Sequence, residues 1–495
     1  MQLTVWSLYI MAPPTAFSAL LLSFAYRTVL ATPFPPSSSS TPSLQACADR
    51  LDGELPSPTP FNYQFGGNVR RYYVAAEEVE WDYAPTGWDN WLGVPFDMSP
   101  RANAAKYNQF GSKWLKALYR GYTDSTFSQR SEQPAFQGTQ GPTIRSEVGD
   151  LIEIMFVNNL SDNYATMHSM GLAYNKAHGE GADYPNNTSP GVNVVLDESN
   201  AVPPMPQHGV EPGGCVVYKW MVPENAGPNS NEPARVHSYH SYVALQQDTN
   251  AGLIGPQIVY AKGQMEQTVA TYREFPLLYM IYDESDSWLS AKNQARLNSS
   301  DDANTKRSAR NDHGQHASHG NSNNGNNHST YGKPSDGGYN NMNDGSSSAN
   351  ASGMGSFNIQ NPNNLWLAGN YTVWHPQLVN LAAAGQWSAA PSWHTMNGYV
   401  FSNNPPFEMC LGDKAIWYVN GYGSASHVFH MHGHGFTYHG FDEYAVSIND
   451  GVGKTLYMNA TEPGLWQVLC HVNNHQTKGM VSNYNVYREG KCPTS

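Results

Sequence analysis

Short segments rich in β-branched and aromatic residues recur along the chain of 495 residues, and Gly, Pro and Asn separate them. Clear examples are LIEIMFVNN (151–159), CVVYKWMVP (215–223), AIWYVNGYG (415–423) and SNYNVYR (482–488). In the second example, Val216, Tyr218, Trp220 and Val222 fall on one face and Lys219 on the other, because side chains alternate along a strand. Strands of this length bounded by turn residues predict an all-β fold built from β-sandwich domains.

Two parts of the chain repeat each other at low identity. EVGDLIEIMFVNN and CLGDKAIWYVNG both place a Gly-Asp turn before an apolar strand. Histidines follow each of them, as MHSM in the first part and HVFHMHGHGF in the second. This internal repetition predicts two β domains, over residues 61–262 and 271–490.

A segment of low complexity interrupts the second domain between residues 298 and 355. It is rich in Asn, Gly and Ser and nearly lacks large apolar side chains, so it cannot bury enough surface to offset the entropy of ordering. The sequence therefore predicts a disordered insert. A solvated linker is favoured over loose metal binding for the histidines of the insert, which are His313, His316, His319 and His328.

The N-terminus has the pattern of a secreted protein. The apolar run Ala16–Tyr26 is followed by small residues to Ala31, which predicts a signal peptide over 1–31 and then a flexible leader over 32–60. The run is too short to span a bilayer comfortably, and no later segment is apolar enough, so no membrane span is predicted. Sequons that would carry glycans in a secreted chain begin at Asn159, Asn186, Asn187, Asn298, Asn327, Asn350, Asn370 and Asn459.

The net charge bears on which partners the chain can bind, and the cysteines bear on the compartment in which it folds. The chain has 40 acidic and 27 basic residues and a formal net charge of -13, which argues against nucleic acid because phosphate binding needs clustered Lys and Arg. In an oxidising compartment up to two disulfides would form, with their pairing left open by the sequence. The cysteines available for them are Cys47, Cys215, Cys410 and Cys492. Cys470 is left over.

The remaining cysteine lies in WQVLCHVNNHQTKGM (466–480), among histidines and a methionine. Thiolate, imidazole and thioether donors together select copper, and a His₂Cys set with a weak axial Met is an electron-transfer arrangement. The second domain supplies that set as His427, Cys470, His475 and Met480. The alternative for Cys470 is a buried thiol or a disulfide partner, and the complete donor set around it argues against this.

These segments resemble the multicopper oxidases, and within them the ceruloplasmin and hephaestin branch, from about residue 72 to residue 488. The runs that carry the resemblance are YYVAAEEVEWDYAP, YRGYTDSTF, SEVGD, WMVPENAGP, AGLIGP, YDESDSWL, HTMNGYVF and HVFHMHGHGF, together with the Cys470 segment. The resemblance implies two cupredoxin-like β-sandwich domains with copper as the cofactor. It further implies that a type 1 copper passes electrons to a trinuclear copper cluster, which reduces dioxygen.

The resemblance also implies the metal ligands. The type 1 ligands would be the four donors named above. The cluster ligands that survive would be His168, His240, His430, His432 and His471.

Three of the eight cluster positions depart from the histidine that the resemblance leads us to expect. They hold Leu469, Met170 and Tyr242. A type 2 copper alone, an altered two-copper site or no metal at this place are the options that remain, because leucine has no donor atom and a phenol must lose its proton to bind. His237 is not expected to substitute for a lost ligand, because an offset of three from His240 points to the other face of a strand.

The ferroxidase function of the branch is not expected in this chain. His394 matches a histidine of the iron site, but Ala389 stands where a Glu is expected and Asn474 where an Asp is expected. Two anionic hard ligands are thereby lost. Asp197 and Glu198 stand where relatives bind calcium, but a solvated turn is the favoured interpretation of two carboxylates in a loop.

The sequence therefore favours a secreted copper oxidoreductase that accepts electrons from a small reductant or metal-ion substrate and passes them to an interdomain copper site. A chain of two domains could complete that site between subunits, and a homotrimer would do so. One alternative is a non-catalytic copper-binding scaffold like the coagulation-factor domains. Another is a two-copper enzyme that resembles the nitrite reductases.

Overall fold

The computed structural model describes residues 43–101, 104–175, 178–181, 209–299, 358–359, 365–368, 371–374 and 376–492. The described residues belong to one compact unit, Thr41–Ser495. Several sequence predictions fall outside them: the signal peptide, the first part of the leader, most of the insert with its four histidines, and the acidic turn at Asp197 and Glu198.

Ten strands are described before residue 261, and eight of them build two sheets. The strands are β1 (Val69–Asp82), β2 (Trp88–Asp89), β3 (Val94–Pro95), β4 (Lys113–Tyr122), β5 (Ile144–Glu147), β6 (Leu151–Asn158), β7 (His168–Ser169), β8 (Cys215–Met221), β9 (Ala234–His240) and β10 (Ile254–Tyr260). The sheet orders are β4-β1-β6-β8 and β5-β10-β9-β7, and β2 and β3 pair as a hairpin. We call these sheets together the first half.

The second half contains the strands from residue 272 onward. They are β11 (Tyr272–Asp283), β12 (Asn358–Ile359), β13 (Leu365–Ala368), β14 (Tyr371–Trp374), β15 (Ser392–Met396), β16 (Phe407–Cys410), β17 (Lys414–Tyr422), β18 (His427–Met431), β19 (Phe436–Tyr438), β20 (Phe441–Glu443), β21 (Ala445–Ile448), β22 (Val452–Asn459), β23 (Gly464–Cys470) and β24 (Val481–Tyr487). Their sheet orders are β15-β11-β17-β22-β19-β20, β16-β24-β23-β18-β21 and β12-β13-β14.

The helices are short and lie between strands. The α-helices are Leu44–Ala48, Ala104–Phe110, Leu245–Ala251, Met265–Thr271, 290–299, Pro376–Ala383 and Asn473–Thr477. The 3₁₀ turns are Phe96–Met98, Ala135–Gln137, Glu224–Ala226 and Glu284–Asp286. None of the described helices has the length and apolar character needed to cross a bilayer.

The two halves share one strand plan. In the first half, β1 lies between β4, antiparallel, and β6, parallel, and in the second half β11 lies likewise between β15 and β17. The other sheets also match, because the order β5-β10-β9-β7 has the same pair directions as β16-β24-β23-β18. The prediction of an all-β fold with two sandwich-like halves is confirmed, while the exact domain bounds stay a prediction.

The position of β6 in the middle of its sheet explains its nearly continuous apolar sequence. All eight residues of β6, LIEIMFVN, are buried between β1 and β8, which accounts for a nearly continuous apolar run instead of strict alternation. Its one carboxylate, Glu153, accepts a hydrogen bond from Arg71 Nε at 2.9 Å and lies 3.5 Å from Lys219 Nζ. The burial of this charge is therefore matched by opposite charges.

The described cysteines outside the donor set form two disulfides, Cys47–Cys215 and Cys410–Cys492. The first of these fixes the helix Leu44–Ala48 beside β8. Part of the segment that the sequence predicted as a flexible leader is thus anchored, which the sequence could not reveal because the pairing was open. Cys470 is free and buried.

Polar contacts join the halves. Asn397, in the second half, donates through Nδ2 to Phe136 O at 2.7 Å and accepts at Oδ1 from Gln140 Nε2 at 3.0 Å and from Leu278 N at 2.7 Å. Gly138 lies against it with φ +62°, and a Cβ there would stand 1.8 Å from Asn397 O. Only glycine permits this close approach, so the halves pack with a defined geometry.

Candidate metal centre

Three elements of the second half bring the predicted type 1 ligands together. His427 begins β18 and Cys470 ends β23, and these strands pair with Phe429 opposite Cys470. His475 comes from the helix Asn473–Thr477, which follows β23 directly. The chain then returns so that Cys470 N donates to Met480 O at 3.1 Å.

The donor atoms stand at metal-binding distances from one another. Cys470 Sγ lies 3.9 Å from His427 Nδ1 and 3.6 Å from His475 Nδ1. Bonds of about 2.3 Å to sulfur and about 2.0 Å to nitrogen, set about 120° apart, would place sulfur and nitrogen about 3.7 Å from each other. Among the described residues, this is the one group of at least three His, Cys, Asp or Glu ligand atoms within 4.8 Å of one another. The residues present therefore fit a trigonal metal site.

Neighbouring groups orient these donors. His427 Nε2–H donates to Tyr422 O at 3.0 Å, which leaves Nδ1 with its lone pair directed at the sulfur. Val428 N–H donates to Cys470 Sγ at 3.4 Å. The Tyr279 ring stacks on His427 with 5.4 Å between the ring centres. Such outer contacts fix the tautomer and orientation of ligands.

Burial keeps the imidazoles neutral. It lowers the pKa of both His427 and His475 to about 4, and it raises the pKa of the Cys470 thiol. At pH 7 both imidazoles can therefore donate a lone pair, whereas the thiol keeps its proton until a metal displaces it.

His394 lies beside this centre, with its ring 5.2 Å from that of His475. Its Nδ1 is buried and has no hydrogen-bond partner among the described residues, and burial lowers its pKa to about 3. Ala389 and Asn474 are exposed. The two positions at which the resemblance leads us to expect carboxylates are therefore exposed and uncharged.

The first half brings His168 and His240 together across a strand pair. His168 in β7 is directly opposite His240 in β9, and their ring centres are 5.5 Å apart. Burial lowers the pKa of His240 to about 4. Met170 is 47% exposed, and His237 donates through Nε2 to Ala226 O at 2.8 Å.

The remaining predicted ligands form a separate group near the surface. His430 has its ring centre 5.4 Å from His432 and 5.2 Å from His471, and the last two side chains are exposed. Leu469 is fully buried and pairs with His430 across two strands. It thus occupies the position in the second half that His240, which pairs with His168, occupies in the first half. Among the described residues, no ring contact joins this group to the pair in the first half.

The structure also identifies groups that sequence patterns missed. Tyr422 links the two halves: its carbonyl accepts from His427, its hydroxyl lies 2.6 Å from Ser238 Oγ, and its ring centre lies 5.9 Å from that of His240. Nothing in its spacing along β17 marks it, because its role arises from packing between distant strands.

Comparison with known proteins agrees with this architecture. Residues 371–490 match the family model described as multicopper oxidase. The chain is 27% identical to hephaestin of Mus musculus over 86% of its own length and 30% of that protein. It is 28% identical to ceruloplasmin of Homo sapiens over 84% of its length and 30% of that protein.

A further relative is coagulation factor V of Pseudonaja textilis, which is 37% identical over 45% of this chain and 14% of that protein. The chain thus spans less than a third of the length of these curated relatives. Its resemblance to hephaestin and ceruloplasmin nevertheless extends over most of the chain, on both sides of the insert. Residues 371–490 therefore carry a multicopper oxidase domain, and the chain is similar to hephaestin and ceruloplasmin, in agreement with the resemblance of its motifs to that branch.

Proposed function

We propose that the chain is a copper-binding oxidoreductase of the multicopper oxidase type, in which His427, Cys470, His475 and Met480 hold a type 1 copper. The observation that carries the proposal is the pair of sulfur–nitrogen distances, 3.9 and 3.6 Å, at a buried free cysteine. When bound, copper supplies one-electron redox chemistry at these donors.

The protein contributes rigidity and the exclusion of water. Cys470, His427 and Met480 are fully buried, and His475 is 6% exposed. Two paired strands and a short loop fix their positions, so the donor geometry does not need to be assembled when metal binds. A donor set held in one geometry keeps reorganisation small when an electron enters or leaves.

The surroundings favour a small organic reductant over ferrous iron. Fe²⁺ is a hard cation that would need anionic oxygen ligands, but Ala389 and Asn474 provide none. His394 remains beside His475 as the single nitrogen donor of such a site. An electron donor that docks by contact, without being ligated, does not require the missing carboxylates.

Electrons would leave the centre along the backbone from Cys470 to His471. His432 and His471 are exposed beside the half-buried His430, and a histidine group at the surface is suited to completion by another subunit. The proposal includes a homotrimer that completes this site. Four-electron reduction of dioxygen is not part of it, because Leu469, Met170 and Tyr242 replace three imidazoles.

The proposal also places the protein outside the cytosol. Two disulfides between described cysteines are typical of oxidising compartments. Exposed Asn159, Asn298 and Asn459 are available for glycan attachment. Analysis of the expressed protein for N-linked glycans and for an N-terminus near residue 32 tests this part.

The experiment for the copper centre is spectroscopic. Copper-loaded protein should show the intense visible absorption of a thiolate bound to Cu(II), and Cys470→Ser should abolish it. His439→Gln removes an imidazole that is 48% exposed and pairs with Glu232, so this matched control should keep the absorption. A band that survives Cys470→Ser would contradict the proposal.

A non-catalytic copper scaffold is the second candidate. The similarity to coagulation factor V over 228 residues and the lost cluster ligands favour it. Oxygen uptake with a phenylenediamine as the reductant distinguishes the two. The oxidoreductase consumes oxygen repeatedly, whereas the scaffold gives the same visible band without turnover. A two-copper enzyme would instead turn over nitrite.

A further inference from the structure

Three ring side chains of the first half lie close together in the wall of one cavity. The ring centres of His168 and His240 are 5.5 Å apart, and the Tyr242 ring centre lies 5.0 Å from His168 and 5.8 Å from His240. All three line a cavity of about 720 Å³ that second-half residues, including Tyr422 and Asp450, also line. Residues of both halves of one chain therefore line the cavity that contains the triangle.

The size of this triangle fits three ligands of one metal ion. With bonds of about 2 Å to nitrogen and oxygen, an imidazole centre lies about 3.1 Å from the metal, and a phenol centre, because the bond bends at oxygen, lies about 4.2 Å from it. With ligands about 90–120° apart, two imidazole centres then stand about 4.4–5.4 Å apart, and an imidazole and a phenol centre about 5.2–6.3 Å apart. The observed separations of 5.5, 5.0 and 5.8 Å lie inside these intervals or within about 0.2 Å of them.

Both imidazoles have the tautomer that such a site needs. A carbonyl oxygen can only accept, so His168 Nδ1–H donates to Glu180 O and His240 Nδ1–H donates to Ser241 O. Each ring is left with Nε2 as a lone-pair donor. Contacts of this kind from the far ring nitrogen are usual for metal-bound histidine.

The Tyr242 hydroxyl is available as the third donor. The side chain is partly exposed within the cavity, and no described residue forms a hydrogen bond with the hydroxyl. Tyr174 also lies near His168, at 5.8 Å between ring centres, but it does not line the cavity. The two tyrosines therefore make a matched pair for experiment.

We propose that His168, His240 and Tyr242 bind one copper ion, with Tyr242 as a phenolate ligand in place of an imidazole. On binding Cu(II), the phenol O–H bond breaks, the proton passes to solvent, and an oxygen lone pair forms the bond to the metal. The identity of the metal rests on the proposed function, whereas the ligand set rests on the geometry of the first half. The site needs no residue from another subunit.

The chain also connects this site to the proposed type 1 centre. His427 donates to the Tyr422 carbonyl, and the Tyr422 ring lies 5.9 Å from His240. This contact route differs from the path through His471 to the exposed group. Both copper centres would then operate within one chain.

The test is Cu(II) loading of the full chain, with elemental analysis, visible absorption and resonance Raman spectroscopy. Wild-type protein should show phenolate vibrations in addition to the thiolate band. Tyr242→Phe should remove the phenolate signals and weaken copper binding at this site at least tenfold, with the thiolate band retained as an internal check of folding. Tyr174→Phe should leave both signals unchanged, and His168→Ala should bind one copper fewer than wild type.

Two results would overturn the proposal. One is phenolate signals that persist in Tyr242→Phe, and the other is a wild-type spectrum with a thiolate band and no phenolate contribution. Failure of the proposed function has a different signature. In that case the wild-type protein lacks the thiolate band, while the phenolate signals and their loss in Tyr242→Phe remain.

Discussion

Replacement of Asp248 with Asn tests whether one buried carboxylate holds the segment that carries His240 and Tyr242. Oδ2 of Asp248 accepts from Ser241 Oγ at 2.7 Å, from Val243 N at 2.9 Å and from Ala244 N at 3.0 Å. Burial raises the pKa of Asp248, and the hydrogen bonds from Ala244 and Ser241 act against that rise. Because each neighbour donates, the ionised carboxylate is the form that suits the site.

The hydrogen bonds to Oδ1 of Asp248 determine how much the substitution lowers the free energy of unfolding. Oδ1 accepts from Asn380 Nδ2 at 2.8 Å and from Trp288 Nε1 at 3.1 Å. An amide keeps the shape of the carboxylate but turns one oxygen into an NH₂ group, which would face these two donors. Asn380 cannot simply flip, because its Oδ1 accepts from Tyr164 N and Asn163 Nδ2 at 3.2 Å each. Two hydrogen bonds to a charged group, at about 1.5–3 kcal/mol each, give an expected loss of about 3–6 kcal/mol.

The assay is urea denaturation of the metal-free protein, followed by tryptophan fluorescence. Asp442→Asn is the matched control, because Asp442 is exposed and makes one contact at 3.3 Å with Thr437. It should change the free energy of unfolding by no more than about 0.5 kcal/mol. A loss below about 1 kcal/mol for Asp248→Asn would refute the reasoning and indicate a protonated Asp248.

The remaining predictions concern the buried charge, the acid range and the axial ligand. Lys116→Met leaves the fully buried Glu284, 2.7 Å from Lys116 Nζ, without its partner and should cost about 3–5 kcal/mol in urea denaturation; a loss under 1 kcal/mol would speak against an ion pair. Because the pKa of His427 and His475 is about 4 in the folded protein and about 6.5 when unfolded, the unfolded chain binds more protons between these values. The free energy of unfolding without metal should therefore fall as the pH drops from about 6.5 to about 4, by at most about 3.4 kcal/mol per histidine, and a flat profile would contradict these shifts. Met480→Leu replaces a weak thioether donor with an alkyl group that cannot donate, which destabilises Cu(II) relative to Cu(I). The reduction potential measured by voltammetry should therefore rise while the thiolate band persists.

The strand pattern was readable from the sequence because it depends on local runs of β-branched and aromatic residues bounded by turn residues. CVVYKWMVP became β8, and the two Gly-Asp turns each precede a central strand, β6 and β17. The donor set around Cys470 was also predictable, because Cys470, His475 and Met480 lie within one short stretch of chain. The pairing of Cys47 with Cys215 was not, since it joins residues 168 positions apart.

Contacts between the halves were beyond sequence reasoning for the same reason. Tyr422 reaches His240 across the interface, and Asp248 reaches Asn380. Neither residue belongs to a motif, and each acquires its role from packing of distant segments. From the sequence, Tyr242 was interpreted as a lost histidine ligand. Only the structure shows that its ring lies beside those of His168 and His240.

X-ray absorption at the copper edge tests the central claim most directly, because it reports the atoms bound to the metal. Copper-loaded protein should show a short copper–sulfur bond together with imidazole nitrogens. That sulfur contribution should vanish in Cys470→Ser. A copper environment of nitrogen and oxygen alone in the wild-type protein would contradict the account.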